Sequence, residues 1–215
     1  YRLPDTNKIT KSILKFKPDI VVNLIAYADV DGCEDNIKKA YLSNVSTISS
    51  IVESINSNSI KFKPHLIHIS TDHLYDGIGY KNENEIKLLN NYSLTKFLGE
   101  EAIIGCDFTI LRTNYIGKSK INERLSLGDW IIRSLLNHTE ITGFTNIKFN
   151  PIHVSTLCKV LKIVCEKKIK GVYNVGSNGY VSKYEYAIFL AKKLNLSVNL
   201  IKKGNSKNDI AQRPS

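Results

Sequence analysis

The chain has 215 residues, of which 42% are hydrophobic and 23% charged, the balance of a folded domain with a real core and not of a disordered or low-complexity chain. Its net charge is +10, but arginine occurs only as Arg2, Arg112, Arg124, Arg133 and Arg213, and the lysines are scattered among Asn and Ile, which reads as compositional bias and excludes a basic nucleic-acid stripe. No run of about 18 uncharged apolar residues and no charged-then-apolar leader occurs, so the expectation is a cytoplasmic protein with no membrane partner.

Residues 1–17 read as a short approach and a helix. Ile20 to Ala26 is a β-branched apolar run, expected as a strand buried on both faces of a parallel sheet. Residues 34–56 repeat Ala40, Val45, Ile48, Ile51, Val52 and Ile55 at helical steps, which predicts one amphipathic helix. Leu66 to Ser70 reads as a second strand, 76–91 as a Gly- and Asn-rich loop, 92–104 as a helix and Phe108 to Arg112 as a third strand. Helices near 125–137, 154–167 and 182–194 follow, with a strand at Val172 to Val175. Alternating strands and helices predict an α/β, doubly wound parallel sheet of Rossmann type with a small C-terminal α/β lobe. The expected division is a nucleotide-binding domain over 1–117 and a mixed region over 118–215 that carries the lobe and sends some segments back to the main sheet.

A dinucleotide fold normally begins with a strand and a glycine-rich turn into a helix. No such turn occurs here, and the chain opens at Tyr1 with no methionine anywhere, so that element is expected upstream of Tyr1. Cys33, Cys106, Cys158 and Cys165 form no C-x-x-C pair, and no His clusters beside them, which predicts neither a disulfide framework nor a metal site.

The segment Asn91-Tyr92-Ser93-Leu94-Thr95-Lys96 places a phenol and an ammonium one turn apart on one helix face. Reduction of a ketone by hydride needs a proton donor for the forming alkoxide. A phenol of ordinary pKa about 10 needs a nearby positive charge to serve near neutrality. In a chain so rich in tyrosine and lysine about one Y-x-x-x-K match is expected by chance, so the spacing alone decides nothing. Its context adds weight. Thr71 follows the second strand directly, at the carboxyl end where such sheets bind ligands, and its hydroxyl suits a substrate carbonyl.

The stretch Ser70-Thr71-Asp72-His73-Leu74-Tyr75-Asp76-Gly77, followed by Asn91-Tyr92-Ser93-Leu94-Thr95-Lys96-Phe97-Leu98-Gly99-Glu100, resembles the dTDP-4-dehydrorhamnose reductase family of extended short-chain dehydrogenases. Asn23 to Glu34, Ser43-Asn44-Val45, Leu111-Arg112-Thr113, Gly171 to Val175 and Arg213-Pro214 resemble further family segments in the same order, so the likeness covers essentially the whole chain. It implies an NADPH- or NADH-dependent reduction of a nucleotide-linked 4-keto-6-deoxy sugar, in the synthesis of cell-surface polysaccharide precursors. It implies Tyr92 as proton donor, Lys96 as its electrostatic partner and ribose ligand, and Thr71 as the carbonyl-polarising hydroxyl. Ala26 and Tyr27 would line the cofactor, Asn44 would help position the lysine, and Thr113 and Asn114 would lie near the nicotinamide. Asp72, His73, Asn150 and Arg213 are candidates for the sugar nucleotide, Arg213 because a guanidinium matches phosphate oxygens.

His73-Leu74-Tyr75 stands where the family often has Tyr-Val-Phe, and Tyr27-Ala28 where it often has a small residue or His followed by Thr. Both departures border the expected substrate pocket and leave the sugar open. A sugar-nucleotide epimerase or dehydratase with tightly held NAD, and a non-catalytic nicotinamide-binding regulatory subunit, are the alternative functions. A homodimer is left open.

Overall fold

The structure, a computed structural model, describes residues 4–77, 79–119, 125–206 and 211–214; residues 1–3 of the expected approach lie outside them. Helix α1 (Thr6–Phe16) is opened by Asp5, whose side chain accepts from the Lys8 amide, and closed by Lys17 in the left-handed conformation ahead of Pro18. Strand β1 (Ile20–Asn23) is shorter than expected and pairs only with the next strand. It is an edge among the described residues. Val22 within it, and Leu24 and Ile25 beyond its end, are exposed where burial on both faces was expected.

The single helix expected over 34–56 is four pieces: α2 (Val30–Asp35), α3 (Ile37–Tyr41), a π-helical turn (Leu42–Ser46) and α4 (Thr47–Asn56). Asn36 causes the first break. It leaves helical backbone angles, and its side chain caps the Lys39 amide, an alternative that Asn offers the backbone and that apolar spacing does not reveal. The π turn carries Asn44. Gly99 lets the helix bearing Tyr92 pass against this turn, because a Cβ there would run into the Asn44 carbonyl.

Strand β2 (His65–Thr71) is buried along its whole length. It runs parallel between β1 and β3 (Phe108–Ile116). A 3-10 turn (Asp72–Leu74) follows it, and α5 (Asn91–Glu101) carries Tyr92 and Lys96. Asn90 and Ser93 cap α5 reciprocally and fix its start. β3 is long enough for two partners on its far side. Residues 109–113 pair with β7 (Gly171–Val175) and residues 114–116 with β6 (Pro151–His153), both parallel. Helix α7 (Val154–Lys167) connects β6 to β7 and packs through Val164 on Ile67, Ile69 and Leu111. The main sheet therefore reclaims residues 151–175 from the second half.

The remaining elements build a separate core. Helices α6 (Leu127–Leu136) and α8 (Lys183–Lys193) each start with a capping box, Ser126 with Asp129 and Ser182 with Glu185. They pack with β4 (Ile141–Phe144), parallel to β9 (Ile201–Gly204), and with β5 (Lys148–Phe149), antiparallel to β8 (Val181–Ser182). Ile131, Ile141, Phe149, Tyr186, Ala187 and Ile201 form its buried centre. Among the described residues no helix is long and apolar enough to cross a membrane.

Candidate active site

Three elements meet at the carboxyl edge of the sheet: the ends of β2 and β3, and the first turns of α5. Thr71 and Thr113 are register partners at those strand ends, and both are buried. The Thr71 hydroxyl accepts from the His73 amide at 3.1 Å and stands close enough to the Tyr92 phenol to oppose the rise of its pKa. The His73 ring meets Tyr92 edge-on, with centroids 5.4 Å apart. Asn114 donates to Asp72 at 3.2 Å. Two buried atoms here have no hydrogen-bond partner, Thr113 Oγ1 and His73 Nδ1. An orphaned buried polar atom costs free energy, and a polar ligand group would relieve it.

Burial pushes the Tyr92 phenol well above its ordinary range, opposed by the Thr71 hydroxyl and reinforced by the Asp72 charge. Lys96 does not sit where the helical spacing suggests. It is about 1% exposed, and its ammonium donates to the Ile69 carbonyl at 2.8 Å and lies 3.5 Å from His68 Nε2. β1 ends opposite His68, so the Ile69 carbonyl lies beyond its ladder, and Lys96 supplies the donor. In this arrangement the ammonium is held by the backbone of β2. Burial lowers Lys96 itself to about 8, with Glu100 opposing.

Asn44 acts on this helix through the backbone. Its side chain accepts from the Tyr27 amide at 2.7 Å and donates to the Tyr27 carbonyl at 3.2 Å and to Thr95 Oγ1 at 3.0 Å, clipping the 24–29 segment to α5. Ala26 is half-buried in that segment, and the Tyr27 ring lies 3.9 Å below the Lys39 ammonium. Asn150 does not join the site. Both its amide atoms bond to Ser177 and Gly179, where they hold the turn before β8.

Two cavities share Lys183 and Arg213 in their walls, and the smaller of them adjoins Asp72 and His73. One, of about 210 Å³, includes Asp72, His73, Phe149, Lys183 and Arg213 in its lining. The other, of about 760 Å³, includes Trp130, Phe144, Ile147, Lys183 and Arg213. Lys183 and Arg213 thus stand where the two meet. Arg213 donates to Asp31 at 2.6 Å. Lys183 lies 3.3 Å over the Phe149 ring, and burial lowers it to about 8, with Asp72 opposing and Arg213 assisting. Sequence reasoning missed Lys183. Its one local signal is its place after the cap residue of the Ser182-x-x-Glu185 box, at the positive end of α8.

The RmlD substrate binding domain model matches residues 2–215. The spore coat polysaccharide biosynthesis protein SpsK of Bacillus subtilis is 28% identical over 93% of this chain and 69% of its own length. The dTDP-4-dehydrorhamnose reductase of Aggregatibacter actinomycetemcomitans is 27% identical over 85% of this chain and 64% of its own. The chain thus spans about two thirds of the length of these curated relatives. A solved structure of a hypothetical dTDP-4-dehydrorhamnose reductase from Sulfolobus tokodaii superposes with a TM-score of 0.84 at 27% identity, covering 100% of this chain and 75% of that one. Neighbours of the same fold were solved with NADP or with NAD. The bovine methionine adenosyltransferase 2 subunit beta also matches, at 25% identity over 90% of this chain and 60% of its own. With its Rossmann-like parallel sheet and a match that runs from residue 2 to residue 215, the chain belongs to the RmlD substrate binding domain family.

Proposed function

We propose that the protein reduces a keto group on a nucleotide-linked sugar, with NADPH or NADH as hydride source, and that the sugar is a 4-keto-6-deoxy hexose. The observation that carries this reading is the Thr71–Tyr92 hydroxyl pair at the carboxyl end of β2. The residues present fit the nicotinamide half of the cofactor: Thr113 Oγ1 is a buried hydroxyl without a partner on the neighbouring strand end, and Lys96 lies beneath Tyr92 on the same helix. When bound, the cofactor supplies the hydride. Thr71 orients the substrate carbonyl through its hydroxyl, and Tyr92 holds the proton that the new alkoxide takes. Burial keeps that phenol protonated, which is the state an acid needs at the start of a turnover.

Lys183 and Arg213 bracket the nucleotide diphosphate at the junction of the two cavities, and Asp72 and His73 face the sugar. The larger cavity, with Trp130 and Phe144 in its wall, takes the nucleoside. The protein carrying this chain, incubated with NADPH and dTDP-4-keto-6-deoxyglucose, is expected to lose absorbance at 340 nm stoichiometrically with product. Tightly held NAD that is recycled without net oxidation would indicate an epimerase instead. Cofactor binding with no turnover on any keto sugar would indicate a regulatory subunit.

The Lys183 charge is lost as pH rises through about 8. KM for the sugar nucleotide is therefore expected to climb between pH 7 and 9. Lys183→Met should raise KM about tenfold at pH 7, the worth of one charge-assisted contact, and flatten that climb. A variant that keeps the parent's pH dependence of KM would remove Lys183 from the diphosphate site.

A further inference from the structure

Glu100 and Arg112 belong to the two motif segments that carry Lys96 and Thr113, yet neither has a part in the chemistry above. Their side chains are only 2% and 4% exposed. Arg112 Nε donates to both Glu100 oxygens, at 3.1 and 3.0 Å, and Arg112 Nη2 donates to Oε2 at 2.6 Å. Ser70 Oγ donates to Oε1. Ser70 and Arg112 are register partners, one residue before the register partners Thr71 and Thr113. Glu100 lies one helical turn beyond Lys96 on α5, two turns beyond Tyr92. One carboxylate therefore ties the helix that carries the phenol and ammonium to both strands that carry the facing hydroxyls. The clamp extends outward, since Arg112 Nη1 also donates to the Tyr75 hydroxyl at 2.8 Å and to the Glu83 carbonyl at 2.6 Å. A buried ion pair contributes little more than apolar packing of the same volume, so stability alone is a weak reason for one here.

We propose that Glu100 is a positioning residue for the reduction: its carboxylate, held by Ser70 and Arg112, sets the distance from Tyr92 and Lys96 on α5 to Thr71 and Thr113 at the strand ends. This rests on the reductase reading above. The same carboxylate is the charge on α5 that favours the ammonium of Lys96 against its burial, and His68 is the titratable group facing Lys96 from β2. Removing it has two consequences. The acid and the hydroxyls drift apart, which acts on the chemical step, and Lys96 gives up its proton at lower pH.

The test uses Glu100→Gln, which keeps the shape and removes the charge, and Glu100→Asp, which keeps the charge. Glu100→Gln is expected to lower kcat about tenfold with KM within about twofold, the pattern of an effect confined to the transition state. Glu100→Asp should return to within about threefold of the parent. Independently of turnover, NMR of protein labelled at lysine Cε, with Lys96 assigned through Lys96→Met, should show its titration midpoint lowered by about one unit in Glu100→Gln. If Glu100→Gln fails to fold, the pair Glu100→Gln with Arg112→Met leaves no buried charge unpaired and is read the same way. A folded variant with the parent's kcat and the parent's Lys96 midpoint overturns the proposal. A parent protein that turns over no keto sugar sinks the reductase reading, and the Lys96 titration then decides the role of Glu100 by itself.

Discussion

Tyr92→Phe is expected to lower kcat for keto-sugar reduction by about 10²-fold or more while KM and thermal stability stay near the parent's. The substitution removes one oxygen. The ring keeps its place against Cys33 and Ala40, and its edge contact with His73 survives. The Thr71 hydroxyl loses one neighbour but still accepts from the His73 amide. What disappears is the proton that must reach the nascent alkoxide. The phenol is a weak acid in this pocket, because burial holds its proton; it becomes an effective donor only as negative charge develops on the substrate oxygen beside it. That predicts a further signature. The rate with the parent protein should not fall on the alkaline side through titration of Tyr92 near its ordinary value of about 10, because burial holds that proton to higher pH. Steady-state kinetics from pH 6 to 10, with a solvent isotope effect on both proteins, checks this. Equal kcat in Tyr92→Phe removes the acid role.

Thr71 and Tyr92 were legible because their signals are local: a hydroxyl where an apolar run ends, and a phenol where a capped helix begins. The parallel sheet was legible for the same reason, since β1, β2 and β3 each carry a short apolar stretch, Ile20-Val21-Val22, Leu66-Ile67 and Ile110-Leu111. What failed to show depends on partners distant in sequence. Lys96 turns to the Ile69 carbonyl because β1 stops opposite His68, a fact about strand register that helical spacing does not contain. Lys183 is one lysine among many until β5 brings Phe149 under it and the C-terminal segment brings Arg213 beside it. β4 and β9 are four residues each and pair across about sixty residues of chain, too short and too far apart for periodicity to register. The clasp that Asn150 makes on the turn around Gly179 was hidden as well, because such a turn gives no sign in sequence of needing a side chain to hold it.

Arg112→Leu is expected to destabilise the protein by about 3–5 kcal/mol, the range for stripping one partner from a buried ion pair. The loss has named parts. Glu100 keeps the Ser70 hydroxyl but loses three donor contacts, while the Tyr75 hydroxyl and the Glu83 carbonyl each lose the guanidinium. Tyr75 retains its bond to Asn174 at 2.6 Å, so the 75–83 segment stays attached to β7 and the damage concentrates at the carboxylate. The double variant Glu100→Leu with Arg112→Leu separates that cause from packing. With no buried charge left to desolvate, it should recover most of the loss, giving a coupling energy of a few kcal/mol in a double-mutant cycle. Urea denaturation of parent, single variants and double variant measures it. If the double variant is as unstable as Arg112→Leu alone, the penalty comes from lost packing around the guanidinium, and the carboxylate is not what makes that position demanding.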